Sequence, residues 1–187
     1  MYEASDLRKG LKIQIDGEPY VITDFEFSKP GKGQAIYRVR MRNMLTGSSM
    51  DRSYRSNDKF DQANLLAKPM QYAYADGHNY CFLDPETFEN HLADEHVIGD
   101  NKRFLVENTV VDVLFFGDRI IDVTLPPSVV LRIVKSDPGV RGDTATNVQK
   151  PATLETGAEV PVPLFVNEGE FIRVDTRTGA YIERVKK

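Results

Sequence analysis

One cysteine, Cys81, is all that this 187-residue chain has to offer for a disulfide, so no internal bridge can form and a reducing compartment is implied. Long apolar runs are missing as well. A bilayer span needs about 18 uninterrupted apolar residues, and the longest candidate here, Val110 to Phe116, is broken by Asp112. The opening MYEASDLRKG is mixed in charge and lacks the apolar core of a secretory signal. Enzyme signatures are also absent: there is no G-x-S-x-G elbow, no Walker loop and no G-x-G-x-x-G. The three histidines, His78, His91 and His96, have no metal-ligand spacing, and Cys81 has no C-x-x-C partner. These absences predict a cytoplasmic protein with no membrane partner, no metal, no cofactor and no conventional active site.

What is present is a chain of ordinary composition, 41% hydrophobic and 28% charged, with a net charge of −4 unevenly spread. Residues 1–64 carry 11 Lys/Arg against 9 Asp/Glu, residues 65–127 carry 4 against 11, and residues 128–187 carry 9 against 8. A basic head, an acidic middle and a near-neutral tail suggest separate modules. A protein that merely coated nucleic acid would be basic throughout, so any contact with nucleic acid must be local.

The apolar period is 2 almost everywhere, which predicts an all-β chain. Leu11, Ile13 and Ile15 alternate ahead of Asp16-Gly17, and Tyr20 to Phe27 reads as the returning strand. Further turns are expected at Asp76-Gly77, Gly117-Asp118 and Arg177-Thr178-Gly179. Only residues 86–96, in PETFENHLADEH, read as helical. Turn chemistry and charge shift together before residue 65 and again at Pro126-Pro127, giving modules at 1–64, 65–127 and 128–187. Modules this small are individually marginal. Three small β-barrels, SH3-like or OB-like, are the expected architecture.

Two segments stand out as chemistry. Ser28-Lys29-Pro30-Gly31-Lys32-Gly33-Gln34 lies between two strands and should form a hairpin tip. Pro30 fixes one φ, while Gly31 and Gly33 permit positive φ on either side of Lys32, so a cationic side chain projects without bulky neighbours. On the outgoing strand, Arg38, Arg40 and Arg42 share one face and Tyr37, Val39 and Met41 the other. Guanidiniums spaced about 6–7 Å apart suit a row of phosphates. Tip and stripe together read as a basic edge for a nucleic-acid backbone.

With these segments in view, the sequence resembles the bacterial elongation factor P family from end to end. The resemblance runs through DLRKGLKIQIDGEPY at the start, KPGKGQA at the tip, LTG at 45–47, SDPGVRGDTA at 136–145, KPATLETGA at 150–158, VPLFVNEGE at 162–170 and VDTRTGAYIERV at 174–185. It implies three β-barrel domains, the first SH3-like and the others OB-folds, in an L-shaped, tRNA-like arrangement. It also implies a translation factor that binds the 70S ribosome between the peptidyl-tRNA and exit sites and restores peptide-bond formation stalled at consecutive prolines.

On this resemblance Lys32, in the loop Lys29, Pro30, Gly31 and Gly33, sits beside the CCA end of P-site peptidyl-tRNA. It is a candidate for covalent extension by a lysine-modifying enzyme. Gly142, Asp143 and Thr144 match the loop that approaches the E-site codon of the mRNA and the small subunit. Tyr181 and Arg184 match a pair on the anticodon-stem side of the tRNA. The assignment of Arg38, Arg40 and Arg42 to the tRNA acceptor arm comes from the stripe itself. A tRNA mimic of this kind is expected to work as a monomer. The competing reading is an RNA-binding OB-fold protein, a chaperone acting off the ribosome, which would need exposed aromatic platforms such as Tyr72, Tyr74 and Tyr80.

Overall fold

The computed structural model describes residues 1–138 and 148–187. These are mostly strand, arranged in three sheets, and the chain divides into two compact units, Met1–Leu66 with Phe115–Ile121 and Ala67–Leu114 with Asp122–Lys187.

The first sheet contains Tyr2–Glu3 (β1), Lys12–Ile15 (β2), Glu18–Ser28 (β3), Ile36–Asn43 (β4), Ser49–Arg55 (β5) and Lys59–Gln62 (β6), in the antiparallel order β1-β6-β2-β3-β4-β5. Its β2–β3 hairpin turns at Asp16-Gly17, both with positive φ (51° and 80°), as a twist-matched two-residue turn requires. Strand β4 alternates buried and exposed without a break, so Tyr37, Val39 and Met41 join Ile13, Ile22 and Phe60 in the core. Met41 is fully buried; truncating a side chain so placed costs about 2–5 kcal/mol.

The inward alternation of β4 ends on a polar residue, Asn43. Its Oδ1 accepts from the backbone N–H of Leu45 (2.8 Å) and Thr46 (3.1 Å), and its Nδ2 donates to Glu18 Oε2 at 2.7 Å. Every polar atom of this buried amide therefore has work, as burial demands. The turn at 45–47 closes on it, with Gly47 at φ 79°.

The second sheet is built from Leu65–Asp76 (β7), Asn79–Leu83 (β8), Asn90–Asp94 (β9), Val110–Phe116 (β10) and Arg119–Thr124 (β11), ordered β11-β10-β7-β8-β9. Both of its two-residue turns place glycine first, Gly77-His78 and Gly117-Asp118, each glycine at φ 60°. The first of these turns therefore falls one residue later than the expected Asp76-Gly77.

In place of the helix expected over 86–96 the chain forms a turn, a strand and a single helical turn. Asp84 Oδ1 accepts from the N–H of Glu86 and Thr87, and Phe88 takes a left-handed φ of 61°, which ends any helical run. Residues 90–94 then pair with β8 (Phe82↔His91, Tyr80↔Ala93), and only Glu95–Ile98 (α1) forms a helical turn, capped by Asp94. Strand pairing outweighs the helical propensity of ENHLADEH. The Asp84 carboxylate also binds the Lys68 ammonium, and these bonds, Lys68 foremost and then the Glu86 N–H, lower its pKa to about 2.

The third sheet contains Ser128–Ser136 (β12), Gln149–Leu154 (β13), Glu159–Pro163 (β14), Phe171–Asp175 (β15) and Tyr181–Val185 (β16), ordered β14-β13-β12-β15-β16. Leu131, Ile133, Leu154, Val160 and Ile172 fill its core. It is tied to the second sheet by Thr176 Oγ1 donating to Pro126 O (2.6 Å) and by the close approach of Gly179 (φ 74°), where a Cβ would come within 3.1 Å of Arg103 Nη2.

Candidate nucleic-acid interface

The β3–β4 hairpin is the longest among the described residues, and its register runs without interruption from Asp24↔Arg40 to Ser28↔Ile36 beyond a bulge at Thr23. Five such pairs extend roughly 16 Å. Tyr37 braces the distal end, its ring 5.0 Å from that of Phe27 and 6.0 Å from that of Phe25. Beyond Ser28↔Ile36, residues Lys29, Pro30, Gly31, Lys32, Gly33 and Gln34 are all exposed. The loop contains no carboxylate, and among the described residues Lys32 has no hydrogen-bond or ion-pair partner.

The two tip glycines work differently from the sequence expectation. Neither Gly31 nor Gly33 adopts positive φ. At Gly33 a Cβ would lie 3.2 Å from Pro30 Cγ, so this position is small because the proline ring folds against it; at Gly31 a Cβ would meet nothing. The tip is thus a proline-packed loop with an open amine between its glycines.

Arg38, Arg40 and Arg42 do share the exposed face of β4. Their surroundings are less basic than a stripe of three arginines suggests, and β4 lies inside the sheet between β3 and β5. Arg40 is gripped by Asp51, directly opposite on β5, through Nε–Oδ1 (2.8 Å) and Nη2–Oδ2 (3.2 Å). That hydrogen bond lowers the Asp51 pKa and raises that of Arg40. Asp24 stands opposite Arg40 and Glu26 opposite Arg38 on β3, and these acids line the same shallow cavity. Strand alternation in SMDRSYR puts Asp51 on the exposed face, but only the β4–β5 register places it beside Arg40.

In the third sheet, Tyr181 pairs with Val174 and Arg184 with Ile172, across a register shift between Arg173 and Val174. Residues three apart on a regular strand point to opposite faces; this bulge brings Tyr181 and Arg184 onto the same one. Arg184 lies 4.8 Å over the Phe165 ring and donates from Nη1 to Glu170 Oε1 at 3.3 Å. Gly142, Asp143 and Thr144 lie outside the described residues. Of the three candidate stacking tyrosines, Tyr72 is buried against Phe82 and Tyr80, Tyr80 is half-buried, and Tyr74 is exposed. Among the described residues no cluster of three or more His, Cys, Asp or Glu could hold a metal ion, and no helix is long and apolar enough to cross a membrane.

Comparison with known proteins accounts for nearly the whole chain. Residues 3–60 match the family described as Elongation factor P (EF-P) KOW-like domain, residues 65–123 the Elongation factor P (EF-P) OB domain, and residues 129–184 Elongation factor P, C-terminal. Elongation factor P of Desulforapulum autotrophicum is 53% identical over 187 residues, covering all of both chains. That of Pectobacterium atrosepticum is 48% identical, covering 99% of this chain and 98% of its own. Among solved structures, eukaryotic translation initiation factor 5A from Methanococcus jannaschii shares the fold at a TM-score of 0.56, with 20% identity over 67% of this chain and 90% of that one. The matched segments coincide with the three sheets, and with relatives so close along its full length the chain belongs to the elongation factor P family of translation factors.

Proposed function

We propose that this translation factor binds the 70S ribosome between the peptidyl-tRNA and exit sites and stimulates peptide-bond formation at consecutive prolines by ordering the CCA end of P-site peptidyl-tRNA. The observation that carries this reading is the tip: a braced hairpin presents Lys32, exposed and unpartnered among the described residues, in a loop without a carboxylate. An amine held there can donate to the sugar and phosphate oxygens of a tRNA end. The tip brings no acid, base or nucleophile to the reaction; restricting the motion of the reacting end lowers the entropic part of the barrier. The mechanism needs no diffusible cofactor, and the factor is not an enzyme in its own right. A lysine standing clear of the fold is also open to a modifying enzyme, which would lengthen the arm and add donors.

Arg38 and Arg42 would face the acceptor arm. Arg40 would join them only by exchanging Asp51 for a phosphate, a swap between two bidentate acceptors. Tyr181 and Arg184, brought to one face by the bulge, would lie toward the anticodon stem, with Gly142, Asp143 and Thr144 near the E-site codon of the mRNA. The working unit would be a cytoplasmic monomer with modules at 1–64, 65–127 and 128–187.

The test is reconstituted translation of a reporter containing three consecutive prolines, with native protein, with Lys32→Ala and with neither. Restoration of full-length product by the native protein and not by Lys32→Ala is expected. Equal rescue by both would remove Lys32 from the mechanism, and no rescue by either would overturn the ribosomal reading.

A further inference from the structure

A second basic surface lies beside the middle of β3, at Ile22, away from the Lys32 tip. The segment Arg8-Lys9-Gly10-Leu11-Lys12 makes a tight turn into β2, in which Leu11 N–H donates to Arg8 O (3.1 Å) and Gly10, at φ 89°, donates to Ile22 O (2.7 Å). Ile22 N–H in turn donates to Leu11 O at 2.9 Å, so the turn is pinned to β3 from both sides. Arg8, Lys9 and Lys12 project from it, all exposed, and with Tyr2 and Gln62 they line an open cavity of about 450 Å³.

The lining contains no aspartate or glutamate. Among the described residues none of the three cations has an ion-pair partner; Asp6, close by in sequence, is turned to the Glu3 N–H at 2.9 Å. The arginine face of β4 provides the contrast, since its cavity is lined by Asp24, Glu26 and Asp51 as well as by Arg38 and Arg40. Of these two basic regions in the first sheet, the turn at 8–12 is the one whose charge is not cancelled locally. Three exposed cations on one pinned turn, with no acid among the residues lining their cavity, leave a local positive field that a polyanion backbone can neutralise.

We infer that the Arg8–Lys9–Lys12 cleft is a phosphodiester-binding site that grips the backbone of an RNA strand, separate from the tip and from the β4 arginines. A backbone fits better than a single phosphate. The cleft is open and not enclosed, its cations are spread along a turn, and the half-buried Tyr2 at its wall offers a ring edge to a sugar or base. The inference extends the proposed function, but its test measures RNA binding directly and does not depend on the ribosomal reading.

The full-length protein is titrated with a fluorescein-labelled deacylated tRNA between 50 and 200 mM KCl, as wild type, as Arg8→Gln/Lys9→Gln/Lys12→Gln, and as Lys102→Gln/Lys135→Gln, two exposed lysines outside the cleft. Each phosphate contact adds about 0.7–0.9 to the slope of log K against log salt. The triple variant should lose about 2.1 to 2.7 units of slope, which shrinks the affinity change across that salt range by roughly 20- to 40-fold. The control should lose less than one, and Lys9→Arg/Lys12→Arg should keep the wild-type slope. Circular dichroism checks folding of each variant. Amide NMR shifts of Lys9 to Lys12 on adding the tRNA to wild type locate the contact without any mutation.

An unchanged slope in the triple variant, absent shifts at residues 9–12, or no wild-type affinity at 50 mM KCl overturns the cleft. In the proline reporter, normal rescue by a triple variant whose slope is unchanged leaves the translation reading standing while the cleft falls. Loss of rescue even with wild type breaks that reading, and the tRNA titration still decides the cleft.

Discussion

The two ends of β4 are closed in opposite ways. At its C-terminal end a buried amide, Asn43, takes two backbone N–H groups and donates to Glu18, adding side-chain ties to the backbone bonds of the turn to β5. At its N-terminal end the loop from Lys29 to Ala35 has no such tie; proline-ring contact at Gly33 and the aromatic brace behind it give it shape. One turn stabilises the fold and the other leaves a side chain free for use. The largest expected effects follow from separating the two. Lys32→Ala should abolish proline-reporter rescue and leave the melting temperature unchanged within about 1 °C, because an exposed, unpartnered side chain contributes little to stability. Asn43→Ala should do the reverse. Removing three hydrogen bonds that converge on one buried side chain costs about 1–3 kcal/mol, or several degrees in Tm, while rescue persists at temperatures where the fold survives. Thermal melts and the reporter on both proteins break the comparison if the effects do not segregate.

The capped turns should also respond to acid. Asp84 closes the β8–β9 turn, and Asp175 closes the last one by accepting from the N–H of Thr178 and Arg177. Both have pKa values below the ordinary aspartate value, Asp84 at about 2. A carboxylate depressed in the folded state stabilises fully above its unfolded pKa, near 4, and loses that contribution as pH falls toward the folded value. Urea midpoints should therefore decline between roughly pH 4 and pH 2. Asp84→Asn should lower the midpoint at neutral pH and flatten the decline. An equally steep decline in Asp84→Asn would assign the acid sensitivity to other carboxylates.

The sequence made the strands readable because alternation is a local signal. Tyr37, Val39 and Met41 were legible as core, and Arg38, Arg40 and Arg42 as the other face, from their spacing alone. The Asp16-Gly17 turn was legible because its φ requirement singles out such residues. Non-local partners were not. ENHLADEH reads as helix until β8 pairs with it, and Arg40 reads as available until Asp51 is placed opposite. The shared face of Tyr181 and Arg184 depends on a bulge that no spacing rule reveals. At the tip, glycine on either side of Lys32 reads as a need for positive φ, yet neither Gly31 nor Gly33 uses it.

The smallest of the expected effects lie at these two glycines. If the tip glycines were needed for positive φ, alanine at either position would strain the backbone and damage the tip alike. With both φ values outside the left-handed region, alanine is tolerated by the backbone at each, and only the surroundings distinguish them. Gly31→Ala meets open space and should leave both stability and rescue near wild type. Gly33→Ala places a methyl 3.2 Å from Pro30 Cγ, so the ring must retreat by a few tenths of an ångström and carry the Lys32 backbone with it. The loop is exposed, so the cost in stability should stay below about 1 kcal/mol. The reporter should still register a partial loss with Gly33→Ala, rising toward wild type when Pro30→Ala is added, because removing the ring removes the clash. Equal loss from Gly31→Ala and Gly33→Ala would restore conformational freedom, in place of ring packing, as the reason both positions are glycine.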